Sequence, residues 1–510
     1  MVRTGRSNVH VNNKREFYLH TNLYRKVTFF LVLSVIFLSS CTANLPALVT
    51  PAATEVASPT ALPQITRTPI PARPVFAPAT LVDYTIQPGD AVSVLAAHFN
   101  TTTKEIYEAN PLLNPNSSTL TAGQALKIPI YYKALWGSQF QIIPDSLYIN
   151  GPAQVGFDTP SFVDSQPGWL KNYSELAGGK YRRGGELIDY VAQNASIRPR
   201  VLLALSEYQA GALSQSTLDE SLQSYPLGYE EQYHKGFYLQ LVWAANLLNN
   251  GYYGWRNGRL ESFTLADNEM VVPDPWQNAA TVALQNYYAA LYPKEKYNQA
   301  ILDDGFFAVY TKYFGDPWQE VKSYIPGNLT QPDLVLPFES GKKWTFAGGP
   351  HAAWGSGEPY AALDFGPNVS GCSSSLDYVV AVADGQIVRT EPAIAILDLD
   401  QDGDERTGWV IFYLHLGIND MVRPGVLVKR GDPIGHPSCE GGSATGTHVH
   451  IARKYNGEWI DADSVVPFNL EGWIAQNGSE PYFGTLKRFG KVITAVVEKA
   501  GNSSITAGAK

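Results

Sequence analysis

The chain contains nine histidines, and four of them lie in short motifs of its last third: His351, His415, His448 and His450. His448 and His450 are separated by one residue in a strand-like segment, and alternate side chains of a strand point to the same face. Imidazole binds metal ions and exchanges protons near neutral pH. The pair therefore predicts a metal or proton-transfer site, although it also fits a merely polar strand face.

The motifs around these histidines, with one further aspartate, form a set: Gly348-Gly349-Pro350-His351, Ala362-Leu363-Asp364-Phe365, Tyr413-Leu414-His415-Leu416 and Gly446-Thr447-His448-Val449-His450. The set resembles the beta-lytic branch of the lysostaphin-type zinc metallopeptidases, from Leu334 to about Phe468. The fifth histidine of this third, His436, matches no motif position, and we interpret it as structural or exposed.

The resemblance assigns a role to each of five residues. It implies that one Zn²⁺ is held by His351, Asp364 and His450. It also implies that His415 and His448 are catalytic residues, which flank the attacking water and the developing oxyanion.

The position of the first ligand departs from lysostaphin itself. There a compact His-x-x-x-Asp pattern would put the histidine where this chain has Tyr360. Beta-lytic enzymes place it upstream after Gly-Gly-Pro, which selects His351. With only two ligands the domain would instead be degenerate and non-catalytic.

The elements that must position these residues are predicted to be antiparallel β-strands over residues 333–470. Strand-like segments are Tyr378–Val382, Gln386–Val388, Val410–Leu414 and Val426–Val428, and Asp384-Gly385 and Asn456-Gly457 are hairpin signals. Residues 471–510 are predicted to form an extension with one short strand, Val492–Val497, and a frayed tail.

An acidic run from Asp398 to Asp404 resembles the start of a calcium loop. The bidentate glutamate that an EF-hand needs at position 12 is replaced by Trp409. We therefore favour an acidic hairpin loop that leads into the Trp409 strand, with Ca²⁺ binding at Asp398–Asp404 as the alternative.

Residues 81–132 show the order strand, helix, helix, strand. Tyr84–Asp90, Ala109-Asn110-Pro111 and Gly123–Pro129 closely resemble a LysM domain. The resemblance implies binding of N-acetylglucosamine-containing glycans of peptidoglycan or chitin, and the candidate glycan-binding residues are Gly89, Asp90, Asn110 and Pro111. The alternative is a LysM fold that has lost sugar binding.

Residues 136–332 have mostly helical patterns. The segment Pro199–Gly211 faintly resembles the catalytic helix of lysozyme-like lytic transglycosylases, with Gln209 in the place of the acid. An amide cannot act as a general acid, so we expect a degenerate, non-catalytic domain that spaces the modules or holds glycan. A shift of register to Glu207 would instead give a glycosidase.

The amino terminus predicts export. Basic residues up to Lys26 precede the apolar run Val27–Leu38, which is too short to span a bilayer comfortably. Leu38-Ser39-Ser40-Cys41 resembles a bacterial lipobox, which makes residues 1–40 a signal peptide and implies that lipidated Cys41 anchors the protein to a membrane. An ordinary signal peptide or an uncleaved anchor is the alternative. Residues 41–80, rich in Pro, Thr and Ala, form a linker.

The composition of the chain excludes or disfavours some functions and kinds of site. The 38 Lys and Arg against 47 Asp and Glu give a net charge of −9, which disfavours nucleic-acid binding. Three cysteines exclude a four-thiolate zinc site. If Cys41 carries lipid, Cys372 and Cys439 remain as an even pair in an exported protein, and we predict a disulfide rather than two separate thiols.

The sequence thus predicts a multidomain protein with a small α+β LysM domain, a mostly α middle domain and a mostly antiparallel β zinc peptidase domain. The expected function is that of an exported lipoprotein, at the cell surface or facing the periplasm, which hydrolyses peptide cross-links of peptidoglycan. The alternatives are a non-catalytic wall-binding scaffold or regulator, and a glycan-cleaving enzyme that works through its middle domain.

Overall fold

The computed structural model describes residues 73–133, 135–319 and 321–508. The predicted signal peptide, Cys41 and most of the linker lie outside the described residues. In the part of the chain that is described, no helix combines the length and apolar character needed to cross a membrane.

The first module has the predicted order of strand, helix, helix and strand. Its elements are β1 (Thr80–Thr85), α1 (Val92–His98), α2 (Thr103–Ala109) and β2 (Ala125–Ile130), and the two strands pair antiparallel. Helix α2 begins with a capping box, in which the side chain of Thr102 accepts from the backbone N–H of Glu105 and the Glu105 carboxylate accepts from the backbone N–H of Thr102. Ala91 precedes α1 and offers no side-chain cap.

The middle module is helical, as predicted. Its described helices are α3 (Asp145–Tyr148), α4 (Thr159–Asp164), α5 (Gly184–Ala195), α6 (Pro199–Ala210), α7 (Phe237–Arg256), α8 (Ala279–Leu291), α9 (Lys294–Ala300) and α10 (Phe306–Phe314). Two small hairpins accompany them, formed by β3 (Ser174–Ala177) with β4 (Lys180–Arg183) and β5 (Phe263–Thr264) with β6 (Met270–Val271). Helices α7 and α8 approach closely at Gly251, where an added Cβ would lie 2.8 Å from the Cα of Ala283.

The third module is an antiparallel β domain, which confirms the predicted fold class. Its strands are β7 (Lys343–His351), β8 (Ala362–Gly366), β9 (Val379–Val380), β10 (Gly385–Glu391), β11 (Ile394–Asp398), β12 (Trp409–Leu414), β13 (Leu427–Val428), β14 (Pro433–Gly435), β15 (Val449–Tyr455) and β16 (Glu458–Trp459). The main sheet has the order β13-β10-β11-β12-β15-β8-β7, and β16 pairs with β15.

The prediction for residues 471–510 was right about a strand near residue 492 but wrong about a frayed tail, because the described residues 471–508 are folded. Four further strands, β17 (Asn469–Leu470), β18 (Trp473–Asn477), β19 (Gly484–Arg488) and β20 (Lys491–Thr494), form a second sheet. Strand β21 (Ser504–Thr506) then pairs with β7 and extends the main sheet. Residues Val496–Glu498, which were expected to continue a strand, form a 3₁₀ turn. The strands bury Trp473, Leu486 and Ile505 in the same core as the main sheet.

The helical and β modules share one hydrophobic core. Phe412, Ala452 and Trp459 lie on the face of the main sheet that packs against the helices. Ile411 and Ile451, on the opposite face, belong to the core inside the β module. The helical module therefore covers one face of the sheet and is not a spacer.

A buried arginine joins all three modules. The Arg256 guanidinium, at the end of α7, donates to the carbonyl oxygen of Pro88 at 2.6 Å and to Oε1 of Glu458 at 2.9 Å. It also forms an ion pair with Asp145 at 3.3 Å. Pro88 belongs to the first module, Asp145 to the helical module and Glu458 to the β module, so one side chain fixes the LysM turn against the other two modules.

Candidate metal centre

Three neighbouring strands bring together the three predicted metal ligands. Asp364 on β8 lies directly opposite His450 on β15. His351 ends β7, where irregular pairing between Gly348 and His351 moves it into line with the other two side chains. The strand pairing alone therefore accounts for the convergence of residues that are up to 99 positions apart.

The distances between the three ligand atoms are those expected for atoms that bind one ion. His351 Nε2 lies 3.0 Å from His450 Nδ1, and each of these nitrogens lies 3.3 Å from Asp364 Oδ1. Donor atoms bound tetrahedrally at about 2.0–2.1 Å from one ion lie roughly 3.3 Å apart. All three side chains are buried, and Asp364 Oδ1 has no hydrogen-bond partner. Two nitrogens and one unsatisfied carboxylate oxygen fit a metal ion.

Backbone carbonyls hold both ligand imidazoles in the correct tautomer. The Gly349 oxygen lies 2.8 Å from Nδ1 of His351, and the Ala353 oxygen lies 3.0 Å from Nε2 of His450. An N–H that donates to each carbonyl leaves the other ring nitrogen with a lone pair toward the centre. Helix α7 holds the loop that carries Ala353, since Asn250 accepts from the backbone N–H of Glu358 at 2.7 Å.

The two predicted catalytic histidines stand beside the ligands. The rings of His415 and His448 are 4.5 Å apart, and His448 Nε2 lies 3.7 Å from Asp364 Oδ2. Their Nδ1 atoms lie 2.7 Å from the carbonyl oxygens of Glu440 and Gly446, respectively. Each ring can therefore present Nε2 as a proton acceptor.

Burial determines the charge of the centre. It opposes ionisation of Asp364, but the electrostatic effect of the neighbouring imidazoles, that of His351 first and then those of His450 and His448, holds the pKa of Asp364 well below its usual range. Burial lowers the pKa of His450. Burial, together with the charge of His448, lowers the pKa of His415 to about 4. At neutral pH the centre thus combines a carboxylate with neutral His415 and His450.

Gly348 leaves the space that the Asp364 carboxylate occupies. An added Cβ at this position would lie 2.8 Å from Asp364 Oδ2, which is closer than real Cβ contacts. We therefore expect Gly348→Ala to displace the carboxylate and to weaken metal binding by about tenfold or more, in the range of changes that misplace ligands. Zinc titration against a competing chelator measures this. Gly417→Ala is a control, because φ there is −62° and an added Cβ would meet its nearest neighbour at 3.7 Å. An unchanged affinity in Gly348→Ala would contradict the expectation.

Tyr482 is a site residue that the sequence analysis missed. It lies in the folded carboxy-terminal segment, and its ring stacks on that of His351 with centroids 4.1 Å apart. It has a positive φ of 71°, and its backbone N–H donates to the carbonyl oxygen of Pro350. The sequence did not indicate that Tyr482 belongs to the site, because it lies after the recognised motifs in a segment without clear periodicity.

We expect Tyr482→Ala to lower zinc affinity about tenfold, because His351 loses the ring that fixes its orientation. Tyr482→Phe keeps the ring and is the matched control, with an affinity near that of the unaltered chain. Competitive zinc titration again reports the result. Equal affinities of the alanine and phenylalanine variants would show that the stacked ring does not position His351.

A disulfide joins Cys372 to Cys439. Next to Cys439, Glu440 supplies the carbonyl that accepts from His415. On the other side of the bridge, the Gly371 oxygen accepts from the backbone N–H of Thr447, next to His448. The bridge therefore ties together the two loops that orient the candidate catalytic histidines.

The acidic loop forms a hairpin between β11 and β12, as favoured from the sequence. Side chains of Asp398, Asp400 and Asp402 lie close together. Their oxygens accept hydrogen bonds from within the loop, such as that from the backbone N–H of Gly403 to Asp398 at 3.0 Å. Burial raises the pKa of Asp398 to about 6. These contacts account for the loop without an ion.

The candidate glycan-binding residues have different roles in the LysM module. Asp90 is buried and accepts from Tyr84 at 2.8 Å and from the backbone N–H of Gln87 at 2.7 Å. Asn110 bonds to the backbone of Lys127 in β2. Gly89 lies against the Arg256 guanidinium. Of the four residues, Pro111 is the one with an exposed side chain.

The helix with faint lysozyme-like character is α6, and its polar residues make structural contacts. Glu207 accepts from the backbone N–H groups of Leu213 and Ser214 and from the hydroxyl of Tyr313. Gln209 donates to the hydroxyl of Tyr287 at 3.1 Å. The Glu207 carboxylate therefore caps the backbone of the segment that follows α6.

Comparison with known proteins agrees with this arrangement. Residues 84–129 match the LysM domain family, and residues 141–328 match the family described as LasA, N-terminal domain. The middle module is thus LasA-like, which replaces the lysozyme-like interpretation.

Two curated relatives match parts of the chain by sequence. Protease LasA of Pseudomonas aeruginosa is 26% identical over 343 residues, which are 62% of this chain and 74% of that protein. Beta-lytic metalloendopeptidase of Achromobacter lyticus is 31% identical over 135 residues, 25% of this chain and 34% of the relative.

Solved structures also match the chain. The M23 metalloprotease pseudoalterin from the deep sea is 26% identical, with a TM-score of 0.28, and the match covers 32% of this chain and 96% of that one. The catalytic domain of lysostaphin from Staphylococcus simulans is 24% identical, with a TM-score of 0.17, over 24% and 88% of the two chains. By sequence, the chain is thus similar to protease LasA and to beta-lytic metalloendopeptidase, and it contains segments that match the LysM and LasA N-terminal domain families.

Proposed function

We propose that the chain is a zinc metalloendopeptidase that hydrolyses peptide cross-links of peptidoglycan. The observation that carries the proposal is the convergence of His351 Nε2, Asp364 Oδ1 and His450 Nδ1 at mutual distances of 3.0–3.3 Å. Three protein ligands of this kind leave one tetrahedral position open, as in catalytic zinc sites. The homology to a protease and a metalloendopeptidase supports the same class of reaction.

Zinc bound here would supply the Lewis acidity that polarises a scissile carbonyl and acidifies the attacking water. The chain supplies the rest. His415, neutral because burial lowers its pKa to about 4, can accept the proton of the water at Nε2 and pass it to the leaving amine. His448 faces the same space, and in the form that carries a proton on both ring nitrogens it can donate a hydrogen bond from Nε2 to the developing oxyanion.

The wall polymer as substrate is supported by the LysM module. A glycan-binding module on a peptidase raises the local concentration of the peptides attached to that glycan. The backbone of the LysM turns and the exposed Pro111 remain the candidate glycan contacts, since Asp90 and Asn110 are engaged in internal hydrogen bonds.

The direct test is incubation of purified peptidoglycan with the full chain, followed by an assay for new amino termini. We expect termini to appear, to vanish with a zinc chelator and to return when zinc is added. Absence of termini from a chain with stoichiometric zinc would contradict cleavage of these cross-links. A chain that purifies without zinc would favour the scaffold function, and new reducing ends would favour glycan cleavage by the middle module.

We further propose that Cys41 carries the lipid and that the protein acts at a membrane surface after export. The supporting feature is the lipobox-like segment that precedes it. Cys41→Ser is expected to move the protein from the membrane fraction to the soluble exported fraction, as judged by fractionation and immunoblotting. A variant that stays with the membrane would contradict lipid anchoring at this residue.

A further inference from the structure

A cavity away from the metal centre is built mainly by the LasA-like module. Its volume is about 720 Å³, which is within the range of small-molecule sites. Aromatic rings of Phe157, Tyr310, Tyr313 and Phe314 form part of its wall. Asn456, from the turn between β15 and β16, also lines it, so the cavity touches the β module.

Two arginines line this cavity without an acidic partner among the described residues. Arg198 is 5% exposed, and its guanidinium donates to neutral oxygens: Oε1 of Gln154 at 3.0 Å, the carbonyl of Ala153 at 2.9 Å and the hydroxyl of Tyr310 at 3.4 Å. Arg200 lies 4.0 Å above the ring of Phe157 and donates to the Ala153 carbonyl at 3.4 Å.

A buried guanidinium without a counter-charge is unusual. Charged groups inside proteins are normally paired, because removing an ion from water costs several kcal/mol that neutral acceptors do not fully offset. Arg182, which is similarly buried, pairs with Glu391 at 3.1 Å. Buried Arg453 also lacks an ion pair among the described residues, but it does not line this cavity. Arg198 and Arg200 are therefore available to an anion that enters the cavity.

The charges and walls of the cavity define the chemistry of that anion. Besides the two arginines, the exposed Lys322 and Asp316 line it, so among the described lining residues three are cationic and one is anionic. The planar guanidinium group of an arginine can donate two parallel hydrogen bonds to the two oxygens of one carboxylate. Aromatic walls favour a ligand with an apolar or ring-shaped body over a small, fully hydrated ion.

We infer that this cavity is a second binding site, which takes a carboxylate attached to a sugar ring or short peptide. This inference rests on the proposed function for the source of the ligand. Peptidoglycan offers that chemistry as the terminal carboxylate of its stem peptides and, where a stem peptide has been removed, as the lactyl carboxylate of its muramic acid. The site would hold a part of the wall polymer while another part reaches the metal centre.

Calorimetric titration of the full chain, with a chelator present to empty the metal centre, tests the site with matched pairs of probes. N-acetylmuramic acid is compared with N-acetylglucosamine, and D-alanyl-D-alanine with its carboxy-terminal amide. We expect at least one acid to bind about tenfold or more tightly than its neutral partner, as a charge-assisted pair predicts. The pair that shows the difference identifies the source. Equal binding within both pairs, or inorganic phosphate that binds as tightly as the preferred acid, would overturn the inference.

The variant Arg200→Gln tests whether the acid binds in this cavity. We expect it to abolish the preference for the acid, whereas Arg423→Gln, which removes an exposed charge elsewhere, keeps it. Arg200→Lys keeps the charge but lacks the planar guanidinium group, and it should reduce the preference without abolishing it. If Arg200→Gln does not fold, as judged by thermal melting, the lysine variant decides. A full preference in a folded Arg200 variant would overturn the assignment.

Wall cleavage is measured separately on the same proteins. Loss of the acid preference with intact release of amino termini would refute the cavity site alone. A preserved preference in a chain that releases no termini would refute the peptidase proposal alone.

Discussion

His450→Ala is expected to remove bound zinc and to slow peptide-bond hydrolysis by a factor of about 10³ or more, since a catalytic metal supplies several kcal/mol of transition-state stabilisation. His450 is the most constrained of the three ligands. It lies opposite Asp364 on the neighbouring strand, its Nε2 is held by the Ala353 carbonyl, and its Nδ1 faces His351. No nearby side chain can replace that nitrogen in the same position.

Metal content by atomic emission and release of amino termini from peptidoglycan measure the two effects. His436→Ala is the matched control, because His436 stacks on Tyr378 outside the centre and its Nδ1 lies 2.9 Å from the Asp377 carbonyl. We expect the control to keep its zinc and its activity. Activity in His450→Ala that equals that of the control would eliminate the proposed centre.

Arg256→Ala is expected to lower the free energy of unfolding by about 3–5 kcal/mol, the usual cost of removing one partner of a buried ion pair. The substitution leaves the buried Glu458 carboxylate without its guanidinium and removes the donor to the Pro88 carbonyl. It therefore weakens the contact of the LysM module with the helical and β modules as well as the core itself.

Urea unfolding, followed by tryptophan fluorescence, measures the change. Arg183→Ala is a control that removes an exposed pair with Asp164, whose side chains are 59% and 45% exposed, and it should cost less than about 1 kcal/mol. Limited proteolysis should also release the LysM module sooner in Arg256→Ala. Unfolding curves of the two variants that coincide would show that Arg256 does not join the modules.

The residues of the metal centre were accessible from the sequence because their motifs are local. Asp364 and His450 each lie within a strand, and strand pairing then brings them opposite one another without further information. The irregular pairing that carries His351 into place was not foreseeable, since it depends on the glycines at 348 and 349 and on the chain that passes beside them.

The contacts between modules could not be read from the sequence. Trp459 is 2% exposed, and its indole N–H donates to the Ala195 carbonyl of helix α5 at 3.3 Å. Nothing in its local pattern distinguishes this contact from burial within the β module. The same holds for Arg256, whose partners come from three distant parts of the chain. A linear pattern reports which side chains are apolar, but not which module covers them.

The carboxy-terminal segment was misjudged for a related reason. Strands β18–β20 are four or five residues long and expose apolar side chains such as Ile474 and Val492, so their alternation of polar and apolar residues is weak. They fold because Trp473, Leu486 and Ile493 find an existing core to cover. Short strands of this kind are specified by the surface that receives them more than by their own propensity.

The pairing of β21 with β7 has a consequence for synthesis. Strand β7 ends in His351. Two elements that support it come much later in the chain: Tyr482, whose ring stacks on His351, and strand β21, which pairs with β7 and is complete only at residue 506. A ribosome that has made all three metal ligands has still not delivered these supports. We expect nascent chains stalled at residue 470 to capture zinc more weakly than chains released after residue 508, which would delay proteolytic competence until translation is nearly over.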